Sequence, residues 1–453
     1  VPGDDEQPTT DLVGEPLWQA AVQQITTSAD PHEQLAIAAW LLRELHAGVR
    51  AELWADWMGR IRRLRAEDPS PVPALADLDA SSGNDDELGA RALVRLVVRL
   101  DADLHRADRP QPEFGAVPDP VVSWGPFPRP GSKAQMLHLI VRQRSGDLPA
   151  DDPVDVEDEG IPPDERNSVV AAACPHHRVL LTEAGLAWEP RILEQDLLPQ
   201  TRVALGGNLH RTAEELRVAI WAGTPFDHAL NASQAGSCAV VGPLDAEKAV
   251  VLDDVEAAVT YAAKKGAHVL VLPELYVAAE DEQDLADRVL RRSKGGFPAL
   301  VYVGLSHQAR SDAEPRWTNE LVVMACDGTV AWRQHKLSPV VLPDEVQECL
   351  GSDRTVRLRW AGDAWLVGMI CRDLFDDVTN GALHQATPNF VGVPSLSPKT
   401  GPHQDAASGL RPHGCVVAVA NRPYGGSYKT APSLYSALRH PPTQIKRKQR
   451  VVP

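Results

Sequence analysis

The sequence predicts a mixed-sheet α/β domain in its C-terminal half, preceded by a mainly helical region. Three observations predict it. Apolar runs of strand length recur from residue 238 onward, an amphipathic helical segment stands among them, and Asp327-Gly328 separates two of the runs. Strands alternating with helices imply parallel pairing, and an Asp-Gly hairpin adds an antiparallel pair, so the sheet is mixed.

The bulk properties set the frame. A chain of 453 residues predicts more than one domain. Its hydrophobic fraction of 43% is enough for a sizeable core. A formal net charge of −17 argues against a broad nucleic-acid or anionic-membrane footprint, so nucleic acid is not indicated as a partner. No apolar run reaches membrane-spanning length; Val269–Leu272 stops at Pro273 and Glu274, and no membrane association is expected. The start, Val-Pro-Gly-Asp-Asp-Glu, is acidic where a signal peptide is basic, and the missing initiator Met points to a trimmed or partial chain. The six cysteines are scattered without a CxxC pair, which predicts reduced thiols in a cytoplasmic compartment. Cys174-Pro175-His176-His177 contains metal-ligand types but no matching second pair nearby, so a structural or surface role is expected and no metal site.

Residues 1–109 read as a helical domain. Trp18, Ala21, Val22 and Ile25 recur at helical spacing, and Asp30-Pro31 supplies an N-cap and first-turn proline for a second helix. Trp54, Trp57 and Ile61 continue the pattern as helix–helix core. A further helix spans about 87–105, with Arg91, Arg95 and Arg99 on one solvated face. Residues 110–168, with frequent Pro and the acidic run Asp151–Glu159, read as a linker or irregular segment interrupted by a short helix at Lys133–Arg144. Residues 169–236 remain an unassigned connecting region.

From 237 to 453 the elements are clearer. Val251, Val255, Val259 and Ala262 form one face of a helix; Asp253 and Asp254 near its start and Lys264 and Lys265 near its end suit the dipole, and Gly266 suits the cap. Strands are predicted at His268–Leu272, Leu300–Leu305, Leu321–Cys326, Val330–Gln334, Trp365–Ile370, Phe390–Val393 and Val416–Ala420. The Gly-, Pro- and His-rich stretch Lys399–Gly414 predicts irregular backbone.

Three residues stand just beyond strand ends, where open α/β sheets gather reactive groups. Glu274 follows Val-Leu-Val-Leu-Pro, Lys336 follows Trp332-Arg-Gln-His, and Cys371 follows Val367-Gly-Met-Ile. Singly, these are a loop carboxylate, a solvated lysine and a small core residue. In this order and context they resemble the nitrilase superfamily of carbon–nitrogen hydrolases. Val393-Pro-Ser395, the strand Val416–Asn421 and Gly425-Gly-Ser427 agree with that resemblance, which covers roughly Ser237 to Leu438.

The resemblance implies an α-β-β-α sandwich with Cys371 as nucleophile, Glu274 as general base and Lys336 as oxyanion stabiliser. It implies a thioester intermediate on a small-molecule amide in preference to a nitrile, and no metal or organic cofactor. It also implies homo-oligomers formed through this domain. A supporting carboxylate is expected between the lysine and the cysteine; Glu345 and Glu348 both qualify, and the distance to Gly351 favours Glu345. Arg372 stands where relatives carry an uncharged residue, either to bind an acidic substrate group or to pair with Asp373 or Asp376. The final strands are expected to be short or rearranged before a basic tail with Lys446, Arg447, Lys448 and Arg450. Two readings stand beside hydrolysis: a retired scaffold that works by binding, and a hydrolase switched by a helical first half that docks a protein partner, as in multi-component bacterial systems.

Overall fold

The computed structural model describes residues 15–48, 86–107, 121–127, 135–141, 173–174, 177–181, 186–193, 197–202, 216–223, 230–235, 238–243, 248–309, 317–340, 347–348, 350, 353–361, 364–386, 388–397, 400–410, 415–422 and 433–436. The chain divides into two compact units, Val1–Thr182 and Glu183–Pro453. Among the described residues no helix is long and apolar enough to cross a membrane.

In the first unit, helices α1 (Glu15–Thr27), α2 (Pro31–Gly48) and α3 (Asp86–Ala107) share one apolar core. Helix α2 starts as its sequence predicts: Asp30 Oδ1 accepts the His32 N–H at 2.9 Å, satisfying a first-turn donor. Ala21, Val22 and Ile25 of α1 and Leu93, Val94 and Val97 of α3 are buried in that core. Arg95 is exposed, and the half-buried Arg99 pairs with Asp103 one turn on. Strands β1 (Val121–Phe127), β2 (Gln135–Val141) and β3 (His177–Leu181) form an antiparallel sheet. Strand β2 replaces the short helix expected at Lys133–Arg144. A brief apolar run has no decisive period of its own, and pairing with β1 on one side and β3 on the other settles it as strand. Trp54, Trp57, Ile61 and the acidic run Asp151–Glu159 lie outside the described residues.

The second unit is a four-layer α-β-β-α sandwich. One sheet contains β5 (Val218–Ile220), β8 (Val269–Val271), β9 (Leu300–Ala309), β10 (Trp317–Ala325) and β11 (Val330–His335), in the order β11-β10-β9-β8-β5. The other contains β4 (Ala187–Ile192), β13 (Thr355–Ala361), β14 (Ala364–Gly368), β15 (Phe390–Ser395), β16 (Val416–Asn421) and β17 (Ser433–Ser436), in the order β17-β16-β15-β14-β13-β4. Both sheets are mixed. Strands β5, β8 and β9 run parallel and β9-β10-β11 antiparallel; β14, β15 and β16 run parallel, with antiparallel neighbours β13 and β17. A small third sheet joins β6 (Leu230–Ala235), β7 (Cys238–Pro243) and β12 (Gln347–Glu348). The segment 183–236 therefore supplies β4 and β5 to the sandwich, ahead of the start expected at 237.

The inner faces of the two sheets share one core. Tyr302 on β9 meets Phe390 on β15 edge-to-face, with ring centres 5.7 Å apart. The sheets approach closely where glycine replaces a side chain: a Cβ on Gly368 would stand 2.3 Å from Leu321 Cδ2, and one on Gly392 2.6 Å from the Tyr302 ring. Helix α4 (Lys248–Lys265) packs Val251, Val255, Val259 and Ala262 on the outer face of the first sheet, beside α5 (Glu282–Arg292). Gly266 closes α4 with φ +62°, the cap its sequence predicts. On the other side, α6 (Asp377–Ala386) and α7 (Gly401–Leu410) lie against the turn that follows β14. Helix α7 corrects the irregular backbone expected for Lys399–Gly414. Its Gly and Pro content masked a helix whose burial of His403, Ala407 and Leu410 outweighs poor propensity. The Asp327-Gly328 hairpin forms as predicted, with Gly328 at φ +80° and Asp327 Oδ1 accepting the Thr329 N–H at 2.9 Å.

Candidate active site

The sheet directions decide which loops meet. Strands β8 and β9 are parallel and β11 runs the same way as β9, two antiparallel steps across. Glu274 beyond β8 and Lys336 beyond β11 therefore emerge at one end of the sheet. Cys371 follows β14, and Ser395 ends the parallel neighbour β15.

Glu274 sits in a tight turn held by β9. Gly304 donates its N–H to the Pro273 carbonyl at 3.1 Å and accepts the Tyr276 N–H at 2.9 Å. A Cβ on Gly304 would lie 2.5 Å from Glu274 Cα and 2.6 Å from the Pro273 oxygen, so only glycine allows this approach. Leu275, the next residue, adopts φ +52°. The Glu274 carboxylate is fixed at both oxygens: Oε1 accepts from Lys336 Nζ at 2.7 Å and Asn319 Nδ2 at 2.9 Å, and Oε2 from the Leu396 N–H at 3.0 Å.

Lys336 is buried, with 2% of its surface exposed, and its ammonium lies between two carboxylates. Nζ is 2.7 Å from Glu274 Oε1 and 2.7 Å from Glu348 Oε2. Asn319 Nδ2 bridges the same pair, donating to Glu348 Oε1 at 2.7 Å, and His307 Nε2 stands 3.4 Å from that oxygen. Glu348 on β12 is thus the carboxylate set against Lys336. Glu345, which the sequence favoured, lies outside the described residues.

Cys371 opens a single 3₁₀ turn, Cys371–Leu374, with φ +47°. A non-glycine residue in the left-handed region costs on the order of 1 kcal/mol or more and persists only where its surroundings impose it. Asp373 imposes it here. Its buried carboxylate accepts the N–H of Ile370 at 3.3 Å, of Leu337 at 3.0 Å and of Ser338 at 2.7 Å, binding the cysteine turn to the lysine loop. Burial pushes the Asp373 carboxyl up, to about 8, against the pull of Lys336 and these three donors. On the far side of Cys371, the Ser395 hydroxyl donates to its Sγ at 3.4 Å and lies 3.1 Å from Nε2 of buried His403.

The electrostatics describe a resting thiol. Burial, then the neighbouring Glu274 carboxylate, push the Cys371 thiol up to about 12, with Lys336 and Ser395 opposing. Burial alone disfavours the Lys336 ammonium, but Glu274 and Glu348 overcome it and hold the lysine charged. Burial also works against the Glu348 carboxylate, yet Lys336 and His307 keep it ionised, at about 2. A thiol, an ammonium and carboxylates in a dry crevice can move one proton from sulfur to a carboxylate without changing net charge. A carboxylate and a fixed cation both stand near the thiol, where charge would form.

The structure brings Glu274 and Lys336 into direct contact and places both beside Cys371. The Arg372 side chain braces the lysine loop: its Nη1 donates to the Pro339 carbonyl at 3.0 Å. Sequence reasoning passed over Asn319, His307 and His403, and read Ser395 only as part of the Val393-Pro-Ser395 segment. Asn319 carried little signal: it stands between Thr318 and Glu320 on β10, ahead of the apolar run Leu321–Ala325.

Fold and site together define a class: a sandwich of two mixed sheets with a buried cysteine, a lysine and two carboxylates at one end of its strands. No family model matches the chain, and no curated protein matches it. Solved structures with a similar chain path include an amidase from Nesterenkonia sp., at 18% identity and a TM-score of 0.36, over 48% of this chain and 85% of that one. A cysteine mutant of that amidase, described as from the nitrilase superfamily, aligns over the same shares with a TM-score of 0.35. A further mutant of it shows covalent addition of the acetamide moiety of fluoroacetamide at the active-site cysteine, again at 18% identity and a TM-score of 0.36.

Proposed function

We propose that the second unit is a nitrilase-superfamily hydrolase that cleaves a non-peptide carbon–nitrogen bond, an amide in preference to a nitrile, through a thioester on Cys371. The observation that carries this reading is the Lys336 ammonium clamped between Glu274 and Glu348 beside a buried thiol. A purely structural ion pair needs no cysteine held at φ +47° next to it.

In the first step Glu274 takes the Cys371 proton as sulfur attacks the amide carbonyl carbon. The carbonyl π electrons move to oxygen, and Lys336 and the Arg372 main-chain N–H stabilise that oxyanion. Glu274 then gives its proton to the leaving amine, the C–N bond breaks and a thioester remains. Water, deprotonated by Glu274, attacks the thioester; acid leaves and Cys371 recovers its proton. A leaving amine needs the proton that Glu274 holds. Asp373, Glu348 and Asn319 position these groups and do not touch substrate. The same reading carries homo-oligomers through this unit, a protein partner for the first 182 residues that switches the site, and a cytoplasmic setting for a thiol enzyme.

The test is ammonia release from a panel of small primary amides. Wild-type chain is expected to release ammonia from at least one, Cys371→Ala from none, and Glu274→Gln at a rate lower by about 10³-fold or more. Release that survives Cys371→Ala overturns the thioester on Cys371; no release and no cysteine adduct with any amide overturns the proposal in favour of a binding scaffold.

A further inference from the structure

The first unit contains a cluster that the hydrolase reading leaves unused. Asp101 lies on α3, at the position that continues the apolar stripe Leu93, Val97, Leu104. A carboxylate there breaks the binary pattern and needs a specific partner. Its partners come from more than 70 residues away. Cys174 Sγ is 3.0 Å from Asp101 Oδ1, and His177 Nδ1, at the start of β3, is 2.9 Å from the same oxygen. One oxygen, one sulfur and one ring nitrogen lie within 4.8 Å of one another. All three residues are nearly or fully buried, with 1%, 1% and 0% of their surface exposed, and Cys174 belongs to the apolar core of the helices.

Nucleophilic catalysis does not suit this order. A cysteine nucleophile needs the imidazole between itself and the carboxylate, whereas here the carboxylate touches both the thiol and the imidazole. A site without exposure also offers substrate no path. A buried Asp–His ion pair accounts for two of the three groups but gives the thiol no function. A divalent cation accounts for all three: carboxylate, thiolate and neutral imidazole bring two negative charges, which balance the ion in the dry interior. Thiolate and imidazole select zinc over magnesium or calcium. Zinc–ligand distances of about 2.0–2.3 Å in a tetrahedral shell set the donors roughly 3.4–3.6 Å apart, so Asp101 Oδ1 has to draw back by about half an ångström from Sγ and Nδ1 to admit the ion.

We propose that Asp101, Cys174 and His177 bind one zinc ion that clamps α3 to the chain entering β3, with a fourth donor, water or protein, completing the shell. The site is structural: it fastens two distant segments of a unit with a small core, where binding energy adds directly to folding energy. It is independent of the Cys371 chemistry.

The experiment is elemental analysis of the untagged full chain after reconstitution with zinc and gel filtration. About one zinc per chain is expected, retained in Cys371→Ala and lost in Cys174→Ser and in His177→Ala. Cobalt in place of zinc is expected to give a thiolate-to-metal charge-transfer band that Cys174→Ser removes. Should these variants fail to fold, the wild-type chain decides alone: a strong chelator is expected to strip the zinc and lower Tm, and added zinc to restore both. Wild-type chain that retains less than about a tenth of an equivalent overturns the proposal. Zinc that stays in Cys174→Ser and leaves with Cys371→Ala overturns it equally.

Discussion

Replacing Gly304 with alanine adds one methyl group, and the structure says where it goes. The new Cβ stands 2.5 Å from Glu274 Cα, 2.6 Å from the Pro273 oxygen and 2.9 Å from the Leu275 nitrogen, all backbone. Ordinary contact begins at 3.4 Å, so the Glu274 turn is driven outward by about 0.9 Å, the difference between 3.4 and 2.5. No flexible side chain is there to yield. The move stretches the hydrogen bonds from Lys336 and Leu396 that fix the carboxylate. Misplacement of a catalytic group by about 1 Å costs on the order of 10²-fold in rate, and overpacking of this kind costs about 1–3 kcal/mol in stability. The assay is kcat/KM for ammonia release from the best amide of the panel, with Tm measured alongside. A fall of about 10- to 100-fold with a modest loss of Tm is expected. Gly304→Ala at wild-type rate and wild-type Tm would refute the claim that close packing of β9 positions the base.

Three further outcomes are expected. Glu348→Gln leaves the buried Lys336 with one carboxylate, and breaking such a pair costs about 3 kcal/mol or more near neutral pH. The Glu348 carboxyl is lowered from 4.5 to about 2 on folding, so its contribution is full above the unfolded value and fades as pH falls towards 2. The Tm gap between wild type and Glu348→Gln should close across that window, and a gap that widens there contradicts the assignment. With the Cys371 thiol near 12, the thiolate absorbance difference between wild type and Cys371→Ser should stay flat from about pH 5 to about pH 10; a titration near neutrality would show a preformed thiolate instead. Tyr302→Phe removes a buried hydroxyl that has no hydrogen-bond partner among the described residues, and thermal melts should show a gain of about 1 kcal/mol.

Much of the second unit was legible in the sequence because its core strands are uninterrupted apolar runs. Val269–Val271, Phe390–Ser395 and Val416–Asn421 are buried almost throughout, as parallel central strands are. The candidate trio Glu274, Lys336 and Cys371 was legible for a related reason: a charged or thiol residue directly after such a run marks a strand end. Other parts were hidden by tertiary pairing. Strand β13 alternates Val356, Leu358 and Trp360 with Arg357 and Arg359, and the charged residues within it kept it off the list of predicted strands. Arg359 is in fact buried, donating to the Glu189 carbonyl and carboxylate at 2.8 Å each, and Glu189 lies on β4 in the segment that had no assignment. Glu348 and Asn319 meet Lys336 only because β12 and β10 bring them there, and spacing along the chain does not encode that. Asp101 was passed over for the same reason: Cys174 and His177 were visible as a pair, and their third partner lay 73 residues earlier.

The central claim is that Cys371 carries the acyl group. The most direct measurement mixes wild-type chain with an active amide, quenches in acid at intervals from milliseconds to seconds and maps peptides by mass spectrometry. The account predicts a transient acyl mass on Cys371, which Glu274→Gln forms far more slowly because the same base serves the first step, and none on the other five cysteines. An acyl group on another residue, or amide turnover in wild type with no acylated cysteine under any quench, would contradict it.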